Sequence, residues 1–193
     1  MKDLEDGMKE KEDFVVIFAG NIGNVQSVDT IIEAANLCRG NKRTKWYIVG
    51  NGSEFENIKE LVARYELTDT VILTGRKAVE EMPGYFKMSD GLLVTLKNEE
   101  ILNATLPAKL QSYMASGKPI IAAINGEGSD VVKECNCGLI GQAEDYKKLY
   151  ENVILLYNMD PEEGMAIGTR GRIYFEENFT RKKLLKQLID IMM

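Results

Sequence analysis

From Phe14 onward, short apolar runs alternate with stretches in which apolar residues recur every three or four positions, and no other property of the chain narrows its fold as far. Strands that are apolar throughout belong in a sheet covered on both faces, and parallel strands need helical crossovers to provide that cover. The expected fold is therefore α/β: a Rossmann-like parallel sheet of about six strands with helices on both faces and a helical C-terminal extension. The strands are placed at Phe14–Ala19, Lys45–Val49, Thr70–Thr74, Gly91–Leu96, Pro119–Ala123 and a short Gly138–Ile140. Between the first two, Val28, Ile31, Ile32, Ala35 and Cys38 keep helical spacing behind Ser27 as N-cap. Phe55, Ile58, Leu61, Val62 and Tyr65 repeat the pattern after Gly52-Ser53, read as turn and cap. Further helices are expected near Glu144 to Asn158, at Pro161 to Asn178, and from Arg181 to Met193 behind Thr180.

Residues 14–193 read as one domain. Residues 1–13 carry six acids and three lysines and read as a solvated lead-in or linker. Of the 193 residues, 45% are apolar and 28% charged, which suits a soluble globular chain and argues against disorder. The net charge of −6 disfavours a nucleic-acid partner, whose phosphates draw on positive fields. Histidine is absent, which removes Ser-His-Asp chemistry and His-ligated zinc. The three cysteines, Cys38, Cys135 and Cys137, lack a C-x-x-C spacing and read as idle thiols. Neither a secretory signal core nor a run of about 18 apolar residues occurs, so a cytoplasmic location is expected.

Open parallel sheets bind ligands beyond the carboxyl ends of their strands, which directs attention to the loops there. Gly20-Asn21-Ile22-Gly23-Asn24 leaves the first strand and enters a helix. Its glycines and free N–H groups suit an anion, and they suit a plain tight turn equally. A dinucleotide fingerprint is missing, because Gly50-Asn51-Gly52 is followed by Phe55 where a third glycine belongs. Gly117-Lys118-Pro119 fails the P-loop pattern. The third strand ends Thr74-Gly75-Arg76, without the aspartate of a phosphate-accepting receiver.

The most specific block runs from Leu106 through Pro107, Ala108, Lys109 and Leu110 to Met114-Ala115-Ser116-Gly117-Lys118-Pro119. Pro107 suits a first helical position and Gly117 a C-terminal cap. Lys109 in the first turn either faces a bound anion or turns outward to water. This block resembles the donor-domain core of GT-B glycosyltransferases, in particular the retaining family 4 enzymes of bacterial surface-polysaccharide assembly. The resemblance extends to Phe18-Ala19-Gly20-Asn21-Ile22-Gly23 with Gln26, Ile48-Val49-Gly50-Asn51-Gly52, Leu73-Thr74-Gly75, Glu81-Met82-Pro83 with Ser89-Asp90, and Gly171-Arg172 with Glu176-Glu177-Asn178-Phe179-Thr180.

The resemblance implies one half of a GT-B fold that takes a nucleotide-diphosphate sugar, UDP- or GDP-linked, as substrate, with no further cofactor and no metal. Gly20, Asn21, Gly23 and Gln26 would lie near the diphosphate, with the amides of Ala108 and Lys109 on its distal phosphate. Gly75 and Arg76 would sit beside the base, and Ser112 could reach a ribose hydroxyl. An N-terminal acceptor domain, absent from the sequence, and a sugar or lipid-linked acceptor are the implied partners. The full enzyme could then associate peripherally with a membrane, at its inner face. Two departures stand out. Ala104 and Ser112 occupy positions where many relatives carry glutamates, and Asn21 and Gln26 those of an Arg and a Lys that neutralise diphosphate. Glu99 and Glu100 read either as a replacement carboxylate or as surface acids, and the catalytic residue stays unassigned. The last helix, with Leu184, Leu185, Leu188, Ile189 and Met192 as its stripe and Arg181, Lys182, Lys183 and Lys186 elsewhere, is expected to dock on its own domain, with a membrane-surface helix as the rival reading. Two other functions share this architecture: half of a nucleotide-sugar 2-epimerase, and a non-catalytic module whose degenerate nucleotide site docks a partner.

Overall fold

A computed structural model describes residues 12–192, apart from the side chains of 186–188 and 191–192. Six strands form one parallel sheet: β1 (Phe14–Ala19), β2 (Thr44–Val49), β3 (Val71–Gly75), β4 (Gly91–Thr95), β5 (Ile120–Ala123) and β6 (Gly138–Gly141). Their spatial order is β3-β2-β1-β4-β5-β6, so the chain starts in the middle, builds outward to one side and returns to build the other. The expected strands are found within one residue at every end. The helices are α1 (Val28–Leu37), α2 (Phe55–Arg64), α3 (Met82–Met88), α4 (Glu100–Asn103), α5 (Ala108–Ser116), α6 (Glu127–Glu134), α7 (Tyr146–Asn158), α8 (Pro161–Asn178) and α9 (Arg181–Met192).

Side chains of a strand point alternately to its two faces, and here each face is a core. Val16, Phe18, Trp46 and Ile48 pack with Ile31 and Ile32 of α1, Ile58 of α2 and Val153 of α7. Val15, Ile17, Tyr47 and Val49 face the other way, onto Tyr85 of α3, Leu110, Tyr113 and Met114 of α5, and Val132 of α6. A fully buried side chain of this size contributes about 1.5–3 kcal/mol, which explains why β1 has no polar residue.

Several local expectations need correction. Pro107 is the N-cap of α5 and not its first helical residue, with extended backbone and Leu110 N donating to its carbonyl at 2.9 Å. Ser27 sits at the start of α1, but its hydroxyl bonds Asp29 Oδ1 (3.1 Å) and Thr30 Oγ1 (2.9 Å), so it caps no backbone amide. Ser53 does not cap α2, whose N-cap is Glu54. The helices α3, α4 and α6 were not anticipated; each is of eight residues or fewer and shows too little periodicity to be read. α9 leaves Leu184, Leu185 and Ile189 43%, 48% and 54% exposed, so this part of its stripe is only about half covered by the domain. The side chains of Leu188, Met192 and Lys186 lie outside the described ones, and all of the lead-in but Glu12 and Asp13 lies outside the described residues. Of these, Glu12 pairs with Arg43 at 2.7 Å on the surface.

Candidate functional site

The sheet reverses its build direction between β1 and β4, and the helices that follow those strands, α1 and α5, lie on opposite faces. Such a switch point opens a crevice at the carboxyl edge. Here the opening is visible in the hydrogen bonds. β1 and β4 pair only at Val16↔Gly91 and Ile17↔Leu92, and then part. Ala19 is left with both backbone groups facing the gap, and one side chain satisfies them: Tyr113 Oη accepts from Ala19 N (2.8 Å) and donates to Ala19 O (3.2 Å). Burial pushes the Tyr113 hydroxyl pKa up, so it stays a protonated linker. On the other side of the gap, Thr95 Oγ1 donates to Gln26 O at 2.6 Å and Lys97 N to Val25 O at 3.0 Å.

The loops after β1 and β2 are pressed together through their backbones. Gly20 N donates to Val49 O, Ile22 N to Asn51 O and Glu54 N to Ile22 O, each at 2.9 Å. A Cβ on Gly50 would lie 1.8 Å from Gly20 O, and the positive φ of Gly50 (149°) disfavours a side chain independently. This pairing explains the Gly-Asn-Gly triplet, which serves loop packing and not a dinucleotide. With the loop after β3 it shapes an open groove of about 650 Å³ lined by Gly20, Asn21, Gly50, Gly52, Arg76 and Lys77.

The residues singled out from the sequence divide among three places. Gly20, Asn21 and Arg76 share the groove, and all three are exposed, while Gly75 ends the strand that leads into it. Gly23 is buried and lines a separate hollow of about 270 Å³ with Asn24, Arg64 and Lys97. Its amide is already spent, donating to Gln26 Oε1 at 3.2 Å, and the same oxygen accepts from Asn21 Nδ2 at 3.4 Å. The first loop therefore offers fewer free amides than its glycines suggest. Ala108 is exposed at the start of α5, where the first amides of a helix have no intrahelical acceptor. Ser112 is exposed on α5 and lines neither hollow. Ala104, Glu99 and Glu100 are also exposed, on the loop and short helix that precede α5.

Lys109 is placed unexpectedly. Its stem is half-buried, but its Nζ is completely buried and has no hydrogen-bond partner among the described residues. The amine sits 3.8 Å over the centroid of the Phe18 ring and 3.4 Å from where a Cβ on Gly20 would stand. Desolvation lowers its pKa from the usual lysine value to about 7. Sequence reading offered an anion-facing or a water-facing lysine; the amine does not face water and runs beneath the first loop, against Gly20. Phe18 and Tyr113 were missed as site residues, although Tyr113 lies one helical turn after Lys109 and both reach the end of β1. Among the described residues no group of three or more metal-ligating acids or cysteines occurs, and no helix is long and apolar enough to cross a membrane.

Comparison with known proteins places the chain by family and by fold. The sequence model of the family described as glycosyl transferases group 1 matches residues 2–174. N-acetyl-alpha-D-glucosaminyl L-malate synthase of Bacillus anthracis is 26% identical over 95% of the chain and 46% of its own length. The alpha-monoglucosyldiacylglycerol synthase of Streptococcus pneumoniae is 27% identical over 63% of the chain and 26% of its own length. Among solved structures, Anabaena HepE in complex with UDP and glucose superposes with a TM-score of 0.81 at 19% identity, covering 94% of this chain and 48% of that one. Sucrose-phosphate synthase from Thermosynechococcus elongatus superposes with a TM-score of 0.80 at 21% identity, over 94% and 45%. The chain thus has the fold of one half of a GT-B glycosyltransferase and spans about half the length of the first of these relatives.

Proposed function

The chain belongs to the glycosyl transferases of group 1, and from that premise we propose that it is the donor-binding half of a retaining glycosyltransferase that takes a nucleoside-diphosphate sugar. One observation carries the reading. The amine of Lys109, from the first turn of α5, reaches Gly20 where β1 and β4 part, and Gly20 and Asn21 line a groove large enough for a nucleoside. A diphosphate at that rim would take hydrogen bonds from the amides of Ala108 and Lys109 and charge from the Lys109 side chain. The nucleoside would extend along the groove toward Gly75 and Arg76. The UDP seen in the HepE structure supports a uridine nucleotide as the first ligand to try.

This half contributes three things to the reaction: it holds the donor in place, stabilises charge on the departing diphosphate, and offers one wall of a cleft that excludes water on closure. The acceptor, a sugar or a lipid-linked glycan of surface polysaccharide or glycoconjugate assembly, would be held by a second domain of the kind that makes up the rest of its relatives' length. The chain alone should therefore bind donor without turning it over. Calorimetry with UDP, GDP and their hexose conjugates tests this. Binding of at least one nucleoside diphosphate, with negligible sugar release, is expected; a folded sample that binds none of them contradicts the reading. The exposed Ala104 and Ser112, in place of two carboxylates, favour one second reading, a partner-docking module with a degenerate nucleotide site. That reading predicts the empty calorimetric result.

A further inference from the structure

The site has an unusual charge balance. Asn21 and Gln26 in the first loop are neutral and hydrogen-bonded to each other, and Lys97 across the gap is engaged by Asn24 Oδ1 at 2.6 Å. Arg76 and Lys77 stand on the loop after β3, along the groove. At the point where β1 and β4 part, the nearby cationic group is the amine of Lys109, and the Phe18 ring face is a weak partner for a cation beside the solvation that burial removes. Among the described residues the amine has no hydrogen-bond acceptor, it lies on the face of an aromatic ring, and its nitrogen is buried from solvent.

We propose that Lys109 is a neutral amine in the ligand-free protein and becomes an ammonium only when a nucleoside diphosphate binds, so that each ligand bound draws one proton from solvent and each ligand released returns it. The inference rests on the donor-site reading above and adds to it a protonation step.

The neighbours of the amine supply no competing charge. β1 offers the Phe18 ring and the backbone of Ala19 and Gly20. On its own helix Tyr113 is kept neutral and is committed to Ala19. From α3, which packs on α5, comes the buried Tyr85, whose hydroxyl has no hydrogen-bond partner among the described residues. From α8, Arg172 donates to Ala115 O at the opposite end of α5. From β4, Thr95 is bonded to Gln26 O. Burial is the sole cause of the lowered Lys109 value near 7. A phosphate oxygen at the start of α5 would supply the missing acceptor and a negative charge together, and both favour the protonated form.

The sign of the pH effect follows. Below about pH 7 the free amine is already protonated, and affinity should be flat. Above it, each bound ligand must bring in a proton, so affinity should fall about tenfold per pH unit until the bound-state value is reached. The ligand's own terminal phosphate titrates near pH 6, which leaves pH 7.5–8.5 as a clean window.

The experiment is calorimetry of the full chain with UDP and GDP at pH 8, in buffers of different ionisation enthalpy, repeated at pH 7.5 and 8.5. The expected result is uptake of roughly 0.9 proton per ligand and a tenfold weaker affinity at the higher pH. Lys109→Arg, a cation at every pH, should bind with no uptake and no pH slope. Lys109→Met should abolish uptake and weaken UDP while leaving uridine unchanged. Binding of either nucleotide by the wild-type chain without uptake overturns the inference and leaves the donor site standing. Failure of both to bind a folded sample overturns the donor-site reading itself. If a variant does not fold, the wild-type proton count decides.

Discussion

At position 50 one added methyl group would part the two loops that form the groove floor. Gly50→Ala places Cβ 1.8 Å from the Gly20 carbonyl at a φ that disfavours any side chain. It should lower the free energy of unfolding by about 2–4 kcal/mol, read as a fall in the urea midpoint, and it should weaken nucleotide binding as Gly20 moves. A midpoint within error of the wild type would show that the loops are not pressed together. Lys109 has the opposite effect on stability. With a folded pKa near 7 and an unfolded one near 10.5, the unfolded chain holds a proton that the folded chain lacks between those values. Stability therefore rises with pH through that window, and the folded state bears the full cost of the buried amine below pH 7. Lys109→Met should accordingly stabilise the ligand-free protein by about 1–3 kcal/mol at pH 7, with the gain fading toward pH 10.5. A destabilised Lys109→Met variant at pH 7 would mean that the amine is satisfied where it stands. Position 109 was legible as part of an anion-binding block, but where its amine goes was not. That depends on Phe18, 91 residues earlier, and on Tyr113 closing the end of β1.

The elements divide by how much of their stability comes from the sheet. The strands could be read to within a residue because burial on both faces demands uninterrupted apolar runs, as in Val15 to Phe18. α1, α2 and α8 were legible from period and from punctuation such as Asp160-Pro161, where Asp160 accepts from Glu162 N at 2.8 Å. α3, α4 and α6 were not, because each is short and held by tertiary packing: the N-cap of α6 is Gly126, whose Cβ position would fall 2.0 Å from Asn103 O. Helix propensity alone does not order such segments. α9 is the reverse case, a clear amphipathic period whose described apolar side chains stay about half exposed. Removing residues from Arg181 onward should change unfolding free energy by less than about 1 kcal/mol, and the α9 amides should exchange far faster than those of β1. Slow exchange in α9, or a large loss of stability on its removal, would show that the helix is anchored on this domain.

For the whole molecule, the topology decides where function can sit. A sheet ordered 3-2-1-4-5-6 has one switch point, and beside it the Lys109 amine reaches Gly20, which also lines the groove. This much follows from the alternation of strands and helices, while the division of the predicted residues does not: Gly23 and Gln26 fold back on each other, and Ser112 lies apart. A ligand held here stabilises the fold by mass action, about 2.7 kcal/mol at a hundredfold excess over Kd, which for a domain of this size raises Tm by roughly 5–10 °C. The most direct measurement is an amide chemical-shift map of the labelled chain titrated with UDP and, separately, GDP. The account predicts saturable shifts concentrated at Gly20, Asn21, Gly75, Arg76, Ala108 and Lys109. Shifts gathered instead at the opposite edge of the sheet, around Phe14, Asp90 and Tyr157, or no shifts with either nucleotide, would contradict it.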